Sequence, residues 1–344
     1  MKKRILYFDA LKILSGIAVV FIHVISQYWY NLGITTRSFN TLTFFDSLCR
    51  FCVPIYFMIS GALFLNEEKN ITIKDIFKKY ILKIFIVYVF WNICYGTLEE
   101  IIMKNNQVTI EILAKILIGT ILGKKYFQLG FLVTIIGFYL CVPVLRLITK
   151  KENKKILEYL IIILFIFTSL NNTVSALLGI YLLYPLVFGG YLLYFILGYY
   201  LHNFELSKKA KKTIYILGVV SALLTAIFTI VHSKTIGYPS EVFFNYISFN
   251  VIMFTSALFV LFKNNFKLVK EKTIKILSVL SDTYFGIYIL HGLVIGFYLK
   301  LGLFDLNLPI PLLTIIIAII VYITSLIASY IMGKIPVIKK LILR

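Results

Sequence analysis

Apolar residues run along this chain in blocks of about twenty, divided by short connections rich in lysine. Such blocks lie near 6–28, 48–65, 81–98, 127–148, 156–171, 181–201, 213–232, 242–262, 283–300 and 309–332. A helix rises about 1.5 Å per residue, so a run of about twenty residues crosses the hydrocarbon core of a bilayer. Within lipid each segment must satisfy its own backbone hydrogen bonds, which makes such runs helices. The pattern predicts an all-α, polytopic integral membrane protein of about ten transmembrane helices, forming a single domain over 1–344. The fifth run is short, and the sixth is interrupted by Pro185 and the Gly189-Gly190 pair, so one of the two is expected to be kinked or only partly inserted. Between the third and fourth runs, Ile110, Leu113, Leu117 and Ile121 recur at helical spacing opposite Glu111 and Lys115. That spacing predicts an amphipathic helix lying on the outer membrane interface.

Composition supports the same class. Hydrophobic residues make up 60% of the 344 positions and charged residues 15%, too little polar surface to cover a soluble globule of this size. A formal charge of +20 would suit a nucleic-acid binder, but its placement in clusters between spanning runs points to membrane lipids and excludes nucleic acid as the partner. Lysine and arginine favour cytoplasmic loops. The bias is met when the N-terminus (Lys2, Lys3, Arg4) is inside, together with Lys69 to Lys79, Lys150 to Lys155, Lys208 to Lys212, Lys263 to Lys275 and the C-terminal Lys334 to Arg344. Both termini are therefore expected in the cytoplasm. The abundance of Ile, Lys, Asn, Phe and Tyr suits an AT-rich bacterial genome and a multi-pass place in the bacterial cytoplasmic membrane. The first run carries Asp9, Lys12 and His23 and lacks a cleavage motif, so it reads as a retained helix. Cys49 and Cys52 lack the second ligand pair of a zinc site, and with Cys94 and Cys141 they are expected to be buried, inert thiols with no metal.

Polar residues inside spans carry the functional signal, because a charge at mid-bilayer costs about 2.5–3.5 kcal/mol on insertion scales. Asp9 and Lys12 are spaced to pair on one helix face. Lys12 and His23 are three turns apart on that face, about 16 Å along the axis. Asp9 and Lys12 suit either the inner interface, with side chains reaching for water, or a site; His23 lies deeper, where its imidazole is suited to accept a proton from a hydroxyl. Arg50, at the outer end of span two, suits either an anchor or a clamp for an anionic substrate group. Span nine places Tyr284, Tyr288 and His291 on one face, while His202 and His232 fall at span ends. The two intramembrane histidines suit either hydrogen-bonded structural groups or catalysis, and no zinc motif accompanies them.

Asp9-Ala10-Leu11-Lys12 followed by His23, then Val53-Pro54-Ile55-Tyr56-Phe57-Met58-Ile59-Ser60-Gly61, then Gly286-Ile287-Tyr288-Ile289-Leu290-His291, resembles the family-3 membrane acyltransferases. The likeness extends in order and spacing over nearly the whole chain, including Phe131 to Pro143, and it is most similar to the O-acetyltransferases of the enterobacterial common antigen type and the membrane protein of intercellular-adhesin synthesis. The resemblance implies transfer of an acyl group, usually acetyl from acetyl-CoA, to a hydroxyl of a cell-envelope glycan or glycolipid. Acyl-CoA is then the donor substrate and there is no bound cofactor. His23 occupies the position of the family's catalytic histidine, as general base or acyl relay, and the resemblance implies that Asp9 and Lys12, on the same helix face, are catalytic with it. Arg50, Tyr56, Ser60, Lys79, Lys83, Gln128, Tyr288 and His291 are the expected substrate-binding residues. Lys12 stands where the family commonly has Arg, the basic R-x-x-R element survives only as Tyr80-Ile81-Leu82-Lys83 with Lys78 and Lys79 upstream, and Gln128 and Gly130 replace His and Trp. These departures imply a divergent acceptor pocket. Two other classes suit a polar stripe in a ten-span protein: a non-catalytic exporter of envelope polysaccharide or lipid-linked glycan, and a structural membrane partner. Consumption of acyl-CoA separates the first reading from both.

Overall fold

The computed structural model describes residues 4–69, 71–123, 126–179, 190–266 and 271–342. These form helices joined by short turns, with no strand among the described residues. In chain order they are α1 (Leu6–Trp29), α2 (Arg37–Cys49), α3 (Cys52–Phe64), α4 (Ile73–Ile101), α5 (Ile110–Ile121), α6 (Gly130–Ile148), α7 (Lys151–Leu178), α8 (Leu192–Asn203), α9 (Lys208–Ile236), α10 (Phe249–Asn265), α11 (Glu271–Lys300), α12 (Ile310–Met332) and α13 (Pro336–Ile342). Among the described residues nine helical segments are long and apolar enough to cross a membrane, α2 and α3 counting together as one over Arg37–Phe64. The chain is a multi-pass membrane protein. Of the sixth expected span, 180–189 lies outside the described residues and the remainder is α8.

Several boundaries differ from the hydropathy reading: the third span begins at Ile73 and not at 81, the ninth at Glu271 and not at 283, and two more have a local cause. The second span begins at Arg37, because the amphiphilic stretch before Arg50 is helical too, started by the Thr36 hydroxyl, which accepts from the Phe39 amide. The fifth continues through Leu178 and stops at Gly179, whose left-handed backbone closes the helix.

The described residues divide into two compact units. The first comprises Met1–Lys69, Val144–Ser281 and Leu308–Ala318. In its most apolar stretch α1 is 67% enclosed by protein and α2–α3 is 72% enclosed, against 33% for α9, so the first two spans form the interior of this unit. Helix α3 meets α8 at reciprocal glycines: a Cβ at Gly61 would lie 1.7 Å from the Phe195 carbonyl oxygen, and one at Gly198 would lie 2.1 Å from that of Met58. Backbones approach this closely only where small residues permit, the usual means of helix association in lipid. Helix α9 turns Ile216, Val219, Leu223, Ile227 and Val231 outward and buries Gly218, Ser221, Thr225, Thr229 and Ser233. That inversion of the soluble pattern identifies a lipid-facing helix. On its buried side Asn250 of α10 donates to the Thr225 hydroxyl at 2.7 Å. Basic side chains close helix ends, with Lys263 donating to the Leu201 and Phe204 carbonyls and Arg146 to that of Asn66.

The second unit comprises Asn70–Pro143, Asp282–Asn307 and Ile319–Arg344. Its core joins Tyr88, Trp91 and Tyr95 of α4 to Leu129, Leu132, Phe285 and Ile289. Gly286 lets α11 touch α12, since a Cβ there would lie 2.0 Å from the Ser329 hydroxyl. The expected amphipathic helix is α5, started by the Thr109 hydroxyl, with Ile110 and Ile121 at 86% and 68% exposure on the face turned from the protein.

Candidate functional site

Helix α1 carries the polar stripe, and the predicted pairing at its N-terminal end forms. Asp9, buried, accepts from Arg4 Nε at 2.5 Å and from the Ser281 hydroxyl at 2.6 Å, with Lys12 Nζ 3.8 Å away. Two cations and a hydroxyl thus offset the cost of a buried carboxylate. Tyr56 of α3 donates its hydroxyl to the Lys12 carbonyl at 3.2 Å, tying the tyrosine of the V-P-I-Y segment to the stripe. One turn further along, Ser15 is fully buried and its hydroxyl has no hydrogen-bond partner among the described residues. A Cβ at Gly16 would lie 3.6 Å from the Tyr56 hydroxyl. His23 is half-buried, and its carbonyl accepts from the Ser26 hydroxyl at 2.8 Å and the Gln27 amide at 3.0 Å. Ser60 is buried within α3.

Beyond His23 the C-terminal end of α1 is fixed to α2. The Trp29 indole donates to the Thr43 hydroxyl at 2.9 Å and stacks on Phe39 at 5.3 Å. At the joint between α2 and α3, Arg50 grips Asp46 with two parallel bonds, Nε to Oδ1 at 2.5 Å and Nη2 to Oδ2 at 2.6 Å. Its guanidinium also lies 4.1 Å over the Phe244 ring and reaches the Phe244 carbonyl at 3.4 Å. The fork that suits an anionic substrate is therefore filled by a neighbouring carboxylate. Sequence reasoning passed over Asp46, although an acid four residues before an arginine is a recognisable helical pair. It also missed the Tyr30–Glu241 hydrogen bond and the Tyr7–His202 contact at 2.6 Å. These link segments about two hundred residues apart, and no local pattern announces them. His202 and His232 are both hydrogen-bonded to hydroxyls, the latter to Ser240 at 2.6 Å.

The other expected residues belong to the second unit. His291 is fully buried on α11, its Nδ1 3.2 Å from the Ile287 carbonyl, which requires a proton on Nδ1. Tyr288 donates to the Gln128 carbonyl, and Tyr95 of α4 donates to that of Ile289 at 2.6 Å. Gly292 lets Gln128 approach: a Cβ there would lie 2.6 Å from Gln128 Nε2 and 2.7 Å from the Tyr95 hydroxyl. Gln128, Gly292, Tyr95 and Tyr126 line a cavity of about 170 Å³. On α4, Lys79 pairs with Asp75 at 2.6 Å while 70% exposed, and Lys83 is exposed. Exposed pairs of this kind contribute little and exchange partners readily. The cysteines are free thiols, but only Cys52 is buried, while Cys141 lies exposed on α6, so the expectation that all four are enclosed is corrected.

Neither a search of curated proteins nor one of solved structures returned a match. A family model described as "Acyltransferase domain" matches residues 5–334, from the Asp9–His23 stripe past the Gly286–His291 segment, and the chain belongs to that acyltransferase family.

Proposed function

We propose that this membrane acyltransferase moves an acyl group, acetyl in the first instance, from acyl-CoA to a hydroxyl of a cell-envelope glycan or lipid-linked saccharide, with His23 as general base. The observation that carries the reading is the stripe on α1: a half-buried histidine on a largely enclosed helix, three turns from the Asp9–Lys12 pair, with a buried Ser15 hydroxyl between them that has no partner among the described residues. An apolar helix retains such groups where they are used.

In the proposed reaction the acceptor hydroxyl gives its proton to the His23 imidazole as its oxygen attacks the thioester carbonyl carbon. The tetrahedral intermediate collapses with cleavage of the carbon–sulfur bond, and the departing thiolate takes the proton from the imidazolium. Arg50, held beside Asp46, orients the acceptor or supports the oxyanion from the outer end. The phosphates of coenzyme A are met by Lys12 in the first unit or by Lys79 and Lys83 in the second, where Lys79 exchanges the Asp75 carboxylate for phosphate. With the termini cytoplasmic, the pantetheine arm must reach along the stripe toward His23. The test is transfer of radiolabelled acetyl from acetyl-CoA to membrane glycolipid by the purified protein, normalised to protein amount. The wild type is expected to label the glycolipid and His23→Ala to fall by about 10²-fold or more, the usual loss with a general base. Near wild-type transfer by His23→Ala would reject the mechanism, and no labelling by the wild type would reject the reading as a whole.

A further inference from the structure

Within the second unit, the far end of α4 with Lys104 just beyond it, the helix α5 and Tyr126 in the segment before α6 line an open cavity of about 330 Å³. This lies in the range of about 300–1,000 Å³ typical of small-molecule sites. Its polar walls are Asn92, Glu100, Lys104, Lys115 and Tyr126, and its apolar wall includes Ile112 and Ile116. Tyr126 also lines the smaller cavity that reaches Gln128, so the two spaces share that side chain. Glu100 stands about 30 Å along α4 from Lys79, at a rise of about 1.5 Å per residue. The cavity is therefore separate from the lysines assigned to the donor phosphates.

The polar groups are tied into one network. Lys104 Nζ bridges Glu99 at 3.0 Å and Glu100 at 2.7 Å, and Asn106 donates to Glu100 at 2.8 Å. The Tyr126 hydroxyl donates to Glu99 at 2.5 Å while its ring stacks on Tyr95 at 5.1 Å, and its backbone N–H reaches Asn92 Oδ1 at 3.4 Å. Burial, and then the Glu99 carboxylate, hold the Tyr126 phenol above its ordinary pKa, so it keeps its proton and donates at neutral pH. Glu100 lines the cavity with Lys104 and Lys115, and Glu99, outside the lining, holds Lys104 and the Tyr126 hydroxyl, so a phosphate meets Glu100 and a cation meets Lys115. Ionised carboxylates have lone pairs to spare beyond these bonds, and each lysine offers three donors. The arrangement combines many hydroxyl-binding groups, a charge that balances once Glu99 behind Lys104 is counted, and an aromatic and aliphatic wall.

We propose that this cavity binds a neutral sugar unit; on the acyltransfer reading, on which this assignment of role rests, that unit belongs to the acceptor glycan. Hydroxyls of the ring meet Glu100, Lys104, Lys115 and Asn92, while its C–H face lies on Tyr126 and Ile112.

The test is saturation-transfer NMR on the full chain in lipid nanodiscs with cellobiose and N,N′-diacetylchitobiose as neutral probes. Glucosamine, glucose 1-phosphate and glycerophosphoethanolamine serve as cationic, anionic and zwitterionic comparisons. Ile112→Trp fills the space without removing a polar group, and Tyr126→Ala removes the platform. The neutral disaccharides are expected to bind, the charged probes at least about tenfold more weakly, and both variants to lose at least about tenfold, as loss of one stacking or hydrogen-bonding contact gives. Failure of both neutral probes to bind, binding unchanged in Ile112→Trp, or tighter binding of glycerophosphoethanolamine would overturn the proposal, the last in favour of a lipid headgroup. Sugar bound here by a protein that transfers no acyl group would keep this site and remove the acyltransfer reading; acyl transfer with no probe bound would remove the site alone.

Discussion

Single side chains in this molecule divide by what their polar atoms already hold. His291 spends its Nδ1 proton on the Ile287 carbonyl inside its own helix. A glutamine amide can make the same donation, so His291→Gln should retain part of the transfer activity that His23→Ala loses, measured with labelled acetyl-CoA at matched protein amount. If the glutamine variant is as inactive as His23→Ala, His291 takes part in chemistry. Lys12 is argued to act on phosphate as a charge, so Lys12→Arg should keep acyl-CoA affinity and Lys12→Ala should weaken it; equal affinity in all three would withdraw that role. The Asp46–Arg50 pair has a different signature, because its two groups are enclosed, at 3% and 13% side-chain exposure. Removing one member of such a pair costs about 3–5 kcal/mol by stranding the other charge, whereas apolar replacement of both is far milder. Asp46→Leu should therefore lower the thermal midpoint in detergent sharply, and the double variant Asp46→Leu with Arg50→Met should recover most of the loss. Recovery of stability without recovery of transfer would assign Arg50 to the reaction, and recovery of both would leave it an anchor.

Helices meet here through small residues, which also sets what the sequence disclosed. Periodicity and length located the spans, and the i, i+3 spacing of Asp9 and Lys12 foretold their contact. The amphipathic α5 was legible from Ile110, Leu113, Leu117 and Ile121. Hidden from the sequence were the partners that arrive from distant segments: Ser281 on Asp9, Phe244 beneath Arg50, and Gln128 against Gly292. Membrane helices give little warning of these contacts, since an interface residue and a lipid-facing one are often equally apolar. Glycine is the informative exception, and the motif glycines have a physical account. A methyl group at Gly286 would overlap the Ser329 hydroxyl, and one at Gly61 the Phe195 backbone, whereas Gly296, on the same helix as Gly286, has open space around it. Gly61→Ala and Gly286→Ala should each destabilise by at least the roughly 1–3 kcal/mol of overpacking, Gly61→Ala the more because backbone cannot turn aside. Gly296→Ala should be neutral or stabilising by up to about 1 kcal/mol, because alanine is the better helix former. Thermal unfolding of the three variants in one detergent checks the order, and a Gly61→Ala protein as stable as Gly296→Ala would contradict the close contact of α3 and α8.

For the molecule as a whole, the decisive quantity is the placement of thirty-five basic residues against fifteen acidic ones. Lysines gather at the N-terminal ends of α4, α7 and α9, while the segments at the opposite ends of α4 and α9 carry few. The bias of lysine toward the cytoplasm then puts the start of α4 and α9 inside and Asn106 and Tyr238 outside. Both readings of function depend on that sidedness: the lysines must meet cytoplasmic coenzyme A, and the cavity at Tyr126 must open where an envelope glycan is assembled. The prediction is tested with single cysteines at Asn106, Lys209 and Tyr238, all exposed, in a chain whose four native cysteines are replaced by serine or alanine. In intact cells a membrane-impermeant maleimide should label positions 106 and 238 and leave 209 untouched until the membrane is opened. The reversed result, with 209 labelled and 106 protected, would place the sugar cavity in the cytoplasm beside the nucleotide pool. The same arrangement of side chains would then have to modify a precursor before export, and the need for an acyl chain to travel along α1 would vanish.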